Sequence, residues 1–458
     1  MAGIGFEIRK LLDRDTFLGS FRAYAYAGVI GSGPWILSFL GILLIHLLGR
    51  RLGIPTRLIT QFQTSVTYVI AFSLIGSGAV TLAFTRYASD RIYENRPERL
   101  APAFLGALVL VIGVGGLAGS AFALLAFPGQ SPVYRLLMAM AFTVMNGVWL
   151  ATSLLSGLKK YLPLVGLFFV GYALVVTVSL SLRRLGLEGL LAGFLLGHFA
   201  MLIGMILLIL DRFPSPGVAL AFDFLRRKNR YPMLLLTGLV YNLAIWADKM
   251  YFWFSPILGQ PIIGPLRSSL IYDIPIFLSY IATLPGMAVF LVRMETDFVR
   301  QYDRFYNAVR GGASLDRIAE AKQDMIDTIR LGILEIAKIQ GLGVLFAMMW
   351  GPAMLRWLGI SQLYLHLLYI DVVAAGLQVV FLGICNVLFY LDKRRKVFAL
   401  SALLLATNFL FTRASAILGV EFYGYGFAAA LLLSVLVGLA ILDRDLHDLE
   451  FRTFMGQS

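Results

Sequence analysis

The apolar stretch Phe21–Leu48 restricts this chain more than any other feature. Only Arg22 in it carries a fixed charge, and a helix of this length crosses a hydrocarbon core about 30 Å thick. Its middle reads Gly31-Ser32-Gly33-Pro34, where a helix must bend because proline donates no N–H and clashes with the preceding turn. Freed backbone in lipid is tolerated only beside protein or cavity water. Gly31, Gly33 and Pro34 therefore form either a structural kink or a hinge beside a path through the membrane.

The composition places the whole chain in the membrane class. It is 59% hydrophobic and 14% charged, whereas soluble proteins average about 25% charged residues. The single cysteine, Cys385, excludes an internal disulfide and a cysteine-based metal site, and the four histidines lie in separate segments. No metal or cofactor is therefore expected. The net charge of +13 is attributed to loops that face anionic lipid, and no nucleic-acid partner is expected.

Long apolar runs recur along the chain and predict an all-α polytopic membrane protein with about twelve transmembrane helices. The expected spans are Phe21–Leu48, Leu58–Tyr87, Ala101–Phe127, Pro132–Leu158, Leu162–Leu182, Leu187–Leu210, Met233–Phe254, Leu266–Val292, Leu331–Met354, Leu363–Leu391, Val397–Leu418 and Gly424–Leu442.

The distribution of basic residues sets the expected orientation. Placing both termini in the cytoplasm puts most of the 39 lysines and arginines in cytoplasmic loops. Six spans per half, an even number, predict two lobes related by a pseudo-twofold axis along the membrane normal. The expected segments are a cytoplasmic amphipathic helix or plain topogenic cap (1–20), an N-terminal lobe (21–211), a cytoplasmic loop (212–232), a C-terminal lobe (233–443) with a cytoplasmic helical linker (293–330), and a cytoplasmic tail (444–458).

Ionisable side chains inside the spans mark a candidate transport path, because a charge at membrane depth usually faces a partner or a cavity. Asp248-Lys249 is the clearest case, and Glu335 and Lys338, three residues apart, share one helical face. A structural interhelical ion pair or a side chain that reaches the interface is the alternative for each. With neighbouring aromatic and amide groups, the path candidates are Asn242, Trp246, Asp248, Lys249, Tyr272, Asp273, Glu335, Lys338 and Asp371. Pro275 and Pro285 interrupt the eighth span and are further hinge candidates.

The chain carries no enzyme signature. It has no phosphate-binding glycine-rich loop with Lys and Ser/Thr, and no soluble segment long enough for a sugar-nucleotide site. A non-enzymatic transporter is therefore expected. Basic residues on the longest cytoplasmic segments are candidate docking sites for a partner protein: Arg226, Arg227, Lys228, Arg230, Arg300, Arg304, Arg310 and Arg317.

Three short segments carry a resemblance to a known family. Met1-AGIGFEIRKLL, Arg22-AYAYAGVIGSGPW and Ala244-Ile-Trp-Ala-Asp-Lys249 resemble the inner-membrane transporter family of the Pel exopolysaccharide system (PelG). That family lies in the multidrug/oligosaccharidyl-lipid/polysaccharide (MOP) flippase superfamily, which is MATE-like. The resemblance implies export of a galactosamine-rich biofilm polysaccharide across the bacterial cytoplasmic membrane. It also implies a cytosolic UDP-sugar-dependent glycosyltransferase and two further membrane subunits as partners, one of them a cyclic-di-GMP receptor. It supplies no transport residues.

Two other functions stay open at this point. A cation-coupled multidrug or lipid-linked oligosaccharide exporter of the same architecture would couple transport through Asp248, Asp273 or Asp371. A scaffold that only recruits the polymerase would contain no continuous path. For the polysaccharide exporter, Asp248→Asn and Lys249→Ala are expected to reduce export without impairing folding.

Overall fold

The computed structural model describes residues 17–450 and 455, except 159, 214–216, 218 and 227–230. Most of the predicted N-terminal amphipathic helix (1–20) lies outside the described residues, as do three docking candidates, Arg227, Lys228 and Arg230. The described part confirms the predicted all-α membrane class, because long apolar helices make up most of it.

The elements of the described part follow one another as helices with a single hairpin. They are α1 Phe17–Arg51, α2 Thr56–Tyr93, α3 Leu100–Ala126, α4 Pro132–Gly157, α5 Tyr161–Ser181, α6 Gly186–Arg212, α7 Pro232–Phe254, β1 Gln260–Ile263, β2 Leu266–Ser268, α8 Leu270–Ser279, α9 Leu284–Val292, α10 Val299–Arg310, α11 Leu315–Leu358, α12 Leu365–Tyr390, α13 Arg394–Leu418 and α14 Tyr425–His447.

Ten helical segments of the described chain are long and apolar enough to cross a membrane, and the bent helix α1 makes eleven. Helix α7 is outside this set, although its 23 residues give a length of about 34 Å, enough for a crossing. It carries Asp248 and Lys249, which make it less apolar. The ten segments, α1 and α7 correspond one to one with the twelve expected spans.

Helix α1 breaks where the sequence indicates. Its segments Tyr26–Pro34 and Ile36–Arg51 meet at an angle of 66°. Pro34 ends the first segment, which agrees with the missing N–H donor of proline. The glycines pack closely on each side of the break, Gly31 near the Met287 carbonyl and Gly33 near the Val165 side chain.

The predicted start of the eighth span at Leu266 is wrong. Leu266–Ser268 is strand β2, which pairs antiparallel with β1, and the helix begins at Leu270. The hairpin turns at Gly264-Pro265, where Gly264 has a φ of +53° that favours glycine. This Gly-Pro pair is an ordinary turn signal, but the apolar residues around it resemble the end of a span.

The eighth span is interrupted by one 3-10 turn, Tyr280–Thr283, and only one of its two prolines accompanies it. Pro275 lies inside α8 without interrupting it, whereas Pro285 is the second residue of α9, directly after the 3-10 turn. Gln340 of α11 donates to the Thr283 carbonyl at 3.3 Å. After α9 the chain forms a π-helical turn, Arg293–Phe298. Pro285 thus agrees with the predicted break, and Pro275 does not.

Helix α11 extends far beyond one membrane crossing. Its 44 residues correspond to about 66 Å, roughly twice the thickness of a hydrocarbon core. It begins after Ser314 and ends at Gly359, whose φ of +69° forms a left-handed C-cap. The linker 293–330 therefore consists of the π-helical turn, α10 and the first turns of α11, with Gly311-Gly312 between the two helices.

The chain forms two compact units, which we name the C-terminal and N-terminal units. The C-terminal unit comprises Met1–Ser32, Ala247–Tyr251 and Leu270–Ser458, and the N-terminal unit comprises Gly33–Trp246 and Phe252–Ser269. These bounds differ from the predicted lobes because α1 and α7 each contribute to both units. The division of α1 falls between Ser32 and Gly33, inside the predicted hinge.

Polar residues of α2 find partners inside the N-terminal unit. Ser65 bonds the Tyr134 hydroxyl at 3.0 Å, and Ser73 accepts from the Trp149 indole N–H at 2.9 Å. Helices α2 and α7 also cross closely, because a Cβ placed on Gly238 would lie 1.9 Å from the Gly78 carbonyl oxygen. These contacts follow the usual pattern of helix packing in lipid, where small residues allow close approach and polar side chains bond across helices.

Candidate functional site

A buried ion pair on α7 lies at the centre of the candidate site. The Lys249 ammonium is 3.1 Å from one Asp248 carboxylate oxygen and 3.3 Å from the other. The side chains are 2% and 0% exposed, and both residues belong to the C-terminal unit. Adjacent helical residues point about 100° apart, so the lysine stem bends back to reach the carboxylate.

Two further helices supply hydrogen bonds to Asp248. The Tyr272 hydroxyl of α8 donates to Oδ2 at 2.7 Å, and the Asn408 amide of α13 donates to Oδ1 at 3.2 Å. The Thr412 hydroxyl, one turn along α13, donates to the side-chain amide oxygen Oδ1 of Asn408 at 3.0 Å, which directs the Asn408 NH₂ group towards Asp248. Both oxygens of this carboxylate are therefore satisfied, as a buried carboxylate requires.

Aromatic rings enclose the Lys249 ammonium. Nζ lies 4.8 Å from the Phe427 ring centroid and 5.7 Å from the Tyr280 ring centroid. Both distances fall within the range of cation–π attraction, which is stronger where water is excluded. The Tyr280 hydroxyl donates to the Gln378 side chain at 3.2 Å, which links the 3-10 break of the eighth span to α12.

Asp371 of α12 is a second buried carboxylate in the same region. It is fully buried, and neither of its oxygens has a hydrogen-bond partner among the described residues. A Cβ placed on Gly424, at the start of α14, would lie 3.0 Å from its Oδ1. The positive end of the α14 dipole therefore lies beside this carboxylate and stabilises its charge in part. Asp248, Lys249, Tyr272, Tyr280, Asp371, Asn408, Thr412 and Phe427 are named here the ionic cluster.

A separate ion network lies at the π-helical turn. Arg293 binds Glu335 of α11 with two hydrogen bonds, 2.5 and 2.9 Å long, and donates to Asp297 at 2.7 Å. Glu295, in the same turn, accepts from Asn386 of α12 at 3.0 Å. A π turn rotates successive side chains away from the α-helical pattern. Its acidic residues and Arg293 consequently reach two different helices.

The structure brings four of the nine path candidates together in one cluster. Asp248, Lys249, Tyr272 and Asp371 belong to the ionic cluster. Among the others, Asn242 and Trp246 lie in the N-terminal unit, and Asn242 donates to the Gly238 carbonyl of its own helix at 2.9 Å. Asp273 is buried in α8, next to Tyr272 in the chain.

Glu335 and Lys338 share a helix but do not pair with each other. Glu335 binds Arg293, whereas Lys338 is exposed on an otherwise apolar face of α11. Neither belongs to the ionic cluster.

The sequence reasoning missed several members of the cluster. Asn408 and Thr412 lie on one face of the eleventh span, and Gln378, which accepts from the cluster residue Tyr280, lies inside the tenth. Uncharged amides and hydroxyls in a span also need partners, so their i, i+4 spacing was an available signal. Phe427 offered none, because one phenylalanine in an apolar helix is indistinguishable from packing.

The described docking candidates are exposed, and some are paired within the chain. Arg226 pairs with Asp223 at 2.9 Å, and Arg304 pairs with Asp324 at 2.5 Å. Arg300 and Arg317 are exposed, and Arg310, also exposed, contacts Asn307 at 3.1 Å. Among the described docking candidates of the linker, Arg300, Arg310 and Arg317 are thus exposed without an ion pair.

The fold is similar to that of solved MATE transporters. One, crystallised in complex with MaD3S, has a TM-score of 0.65 at 12% identity, covering 98% of this chain and 97% of that one. A MOP superfamily transporter from Pyrococcus furiosus has a TM-score of 0.63 at 12% identity, with coverage of 98% and 97%. An outward-facing multidrug resistance MATE transporter has a TM-score of 0.61 at 12% identity, with coverage of 93% and 94%. At this identity the likeness defines the fold alone.

The family follows from the sequence. None of the curated proteins matches this chain. The family model "PelG: Putative exopolysaccharide Exporter (EPS-E)" matches residues 1–454. That match covers nearly the whole chain and agrees with the resemblance of the N-terminal motifs. The chain therefore belongs to the PelG exopolysaccharide exporter family and has the MATE-like fold of the MOP superfamily transporters.

Proposed function

We propose that this chain exports a Pel-type, galactosamine-rich exopolysaccharide across the bacterial cytoplasmic membrane, as the transporter subunit of a synthase complex. The observation that carries the proposal is the PelG family match over residues 1–454. The MATE-like fold supports it, because the solved relatives are described as transporters. Polymerisation is assigned to a partner, a cytosolic UDP-sugar-dependent glycosyltransferase, and a cyclic-di-GMP receptor is expected among the membrane subunits.

The proposed orientation places both termini and the linker 293–330 in the cytoplasm. The basic residues support it, because lysines and arginines concentrate in cytoplasmic loops of membrane proteins. The linker then faces the side on which the glycosyltransferase makes polymer. Its exposed arginines are suitable for contact with an acidic protein surface.

The ionic cluster has a place in this function as a control point inside the C-terminal unit. It ties α7, α8 and α13 to one carboxylate while its charges are shielded from solvent. A buried charged group of this kind is expensive in lipid and is usually retained for function. We assign it to the positioning of helices during transport, and not to direct contact with the sugar.

A direct test replaces the gene by a null allele in a polymer-producing bacterium and measures secreted polymer together with drug susceptibility. We expect polymer secretion to be lost and drug susceptibility to be unchanged, and we expect the wild-type chain to restore secretion. Unchanged secretion by the null strain would contradict the proposal. So would higher drug susceptibility of the null strain together with drug efflux by wild-type vesicles.

The second candidate function is a cation-coupled drug or lipid-linked oligosaccharide exporter. The two buried carboxylates, Asp248 and Asp371, favour it, because paired carboxylates inside a membrane can take up a cation. It predicts that a sodium or proton gradient drives substrate uptake into inverted vesicles. Polymer export that continues after both gradients are collapsed would reject this candidate.

Charge reversal on the linker is expected to separate the chain from the glycosyltransferase. The variant Arg300→Glu/Arg310→Glu/Arg317→Glu should lower co-purification about tenfold or more, because each exposed ion pair contributes about 0.2–1 kcal/mol and reversal adds repulsion. Point changes are preferable to deleting 311–324, since that deletion would remove the buried residues Ile318 and Ala321. The measurement is quantitative pull-down at equal membrane levels.

The control for this pull-down is Arg184→Glu, an exposed arginine on the predicted opposite side of the membrane. It should leave co-purification unchanged. Full association of the triple linker variant, or equal loss in both variants, would reject the linker as the docking surface.

A further inference from the structure

We propose that Asp371 is a second binding position for the Lys249 ammonium, and that transfer of the ammonium from Asp248 to Asp371 is a step of the transport cycle. The assignment of this step to transport depends on the proposed function, whereas the second binding position stands on geometry alone. All groups involved belong to the C-terminal unit.

The two carboxylates differ sharply in how they are satisfied. Asp248 receives the ammonium, the Tyr272 hydroxyl and the Asn408 amide. Asp371 is equally buried and receives no hydrogen bond within the described chain. Buried polar groups in native proteins are nearly always bonded, and an exception needs an explanation. A group that is bonded only in another conformation provides one.

The ammonium and the unbonded carboxylate lie near the same end of α14. Asp371 Oδ1 is close to Gly424, and the Lys249 ammonium lies over the ring of Phe427, three residues further along. Three residues of helix span about 4.5 Å. The carboxylate and the ammonium therefore both border the first turn of α14, and a rotamer change of the lysine combined with a shift of α12 would bring them together.

The surroundings favour movement of the ammonium. The faces of Phe427 and Tyr280 attract the cation without fixing its direction, so it keeps favourable contacts while it leaves one carboxylate. Lysine has four flexible methylene groups and three equivalent N–H donors. The Tyr280 hydroxyl is bonded to Gln378 of α12, the same helix that carries Asp371. Movement of α12 would thus shift the ring and the accepting carboxylate together.

One ammonium shared by two carboxylates creates two arrangements that compete with each other. In either arrangement one carboxylate is left without the ammonium, and this unpaired carboxylate destabilises the arrangement. Neither arrangement is therefore strongly preferred over the other. A packed element with two discrete arrangements is suited to switching, because it changes by repacking and not by gradual deformation. In the arrangement of this structure, α7 binds α8 and α13 through Asp248. In the other arrangement, with the ammonium at Asp371, α7 would bind α12.

The test is a double-mutant cycle on the purified full-length chain, read by thermal unfolding. If the ammonium can move to Asp371, Asp248→Asn should lower the unfolding midpoint only slightly. Asp248→Asn/Asp371→Asn leaves the ammonium without a carboxylate, and should lower it by about 3 °C or more beyond the sum of the single variants. Additive shifts would overturn the second binding position.

Asp371→Asn alone gives an independent readout. It replaces an unbonded buried carboxyl group by an amide of the same shape, so the midpoint should stay unchanged or rise, while polymer export should fall at least about tenfold. The matched control is Asp445→Asn. Asp445 is equally buried in the same unit but pairs with Lys396 at 2.6 Å, so this variant should lower the midpoint. A lower midpoint for Asp371→Asn would show that Asp371 stabilises the fold in this arrangement. Export by Asp371→Asn at the wild-type level would show that Asp371 takes no part in the transport cycle.

These readouts separate the inference from the proposed function. The unfolding cycle needs no polymer, so it decides the second binding position even if the wild-type chain exports none. Absence of wild-type polymer export would count against the function proposed above. A non-additive cycle with normal export by Asp371→Asn would leave a mobile lysine and reject its role in transport.

Discussion

Replacement of Lys249 by methionine is expected to destabilise the chain by about 3–5 kcal/mol and to abolish polymer export. Methionine keeps the length and volume of the side chain but removes the ammonium. Asp248 and Asp371 then lie in a buried region without a compensating cation, and removing one partner of a buried ion pair has an effect of this size. The measurements are the unfolding midpoint in detergent, the membrane level and the secreted polymer.

This expectation replaces the one that the sequence alone supported. Without knowledge of burial, Lys249→Ala was expected to spare folding, because a lysine in a polar path would face water. The pair is 2% and 0% exposed, so we expect its loss to affect folding and export together. The double variant Lys249→Met/Asp248→Asn separates the two effects, because it removes both charges of the pair. It should recover most of the stability and none of the export.

The matched control is Lys338→Met, because Lys338 is exposed and has no ion pair among the described residues. It should change the unfolding midpoint by no more than a surface substitution does, about 0.5 kcal/mol. Equal stability of Lys249→Met and wild type would mean that the buried pair contributes nothing to folding. Equal loss in the two lysine variants would show that the effect is not specific to the cluster.

The membrane class and most helix positions were predictable because they depend on local composition. A span needs about 20 apolar residues in sequence, and this condition is read directly from segments such as Leu187–Leu210. The hairpin was not predictable in the same way. Leu266–Ser268 has three residues, and its pairing with Gln260–Ile263 depends on the Gly264 turn, not on a long periodic pattern. Division of α1 and α7 between units depends on tertiary contacts, which a single sequence does not reveal.

The charged half of the ionic cluster was predictable, and its geometry was not. Asp248, Lys249 and Asp371 stand out because charges inside apolar spans are rare. Nothing in their spacing shows that these three residues lie in one cluster. The pairing of Glu335 with Arg293 is a similar case, because the partner lies on another helix and the π turn alters its direction. Pairing across helices requires the register of the helices, which composition does not give.

The crossing of α2 and α7 gives the second large expected effect, from Gly238→Ala. A Cβ at this position would lie 1.9 Å from the Gly78 carbonyl oxygen and 2.9 Å from its carbonyl carbon. Both atoms belong to the backbone, so neither can move aside as a side chain would. The two helices must separate, and overpacking of this kind has an effect of about 1–3 kcal/mol, or more when backbone shifts. We expect a net loss of about 2 kcal/mol and a lower membrane level.

Gly166→Ala in α5 is the matched control for this substitution, in the same N-terminal unit. No atom lies within 4 Å of a Cβ placed on Gly166, so the added methyl group meets open space. A helical alanine is favoured over glycine by up to about 1 kcal/mol, and this variant should therefore be as stable as the wild type or more stable. The helical preference for alanine over glycine acts in the same direction at both sites. A lower unfolding midpoint for Gly238→Ala and a higher one for Gly166→Ala would therefore isolate the effect of the crossing. A Gly238→Ala variant that is as stable as Gly166→Ala would show that α2 and α7 can separate at this point without loss of packing.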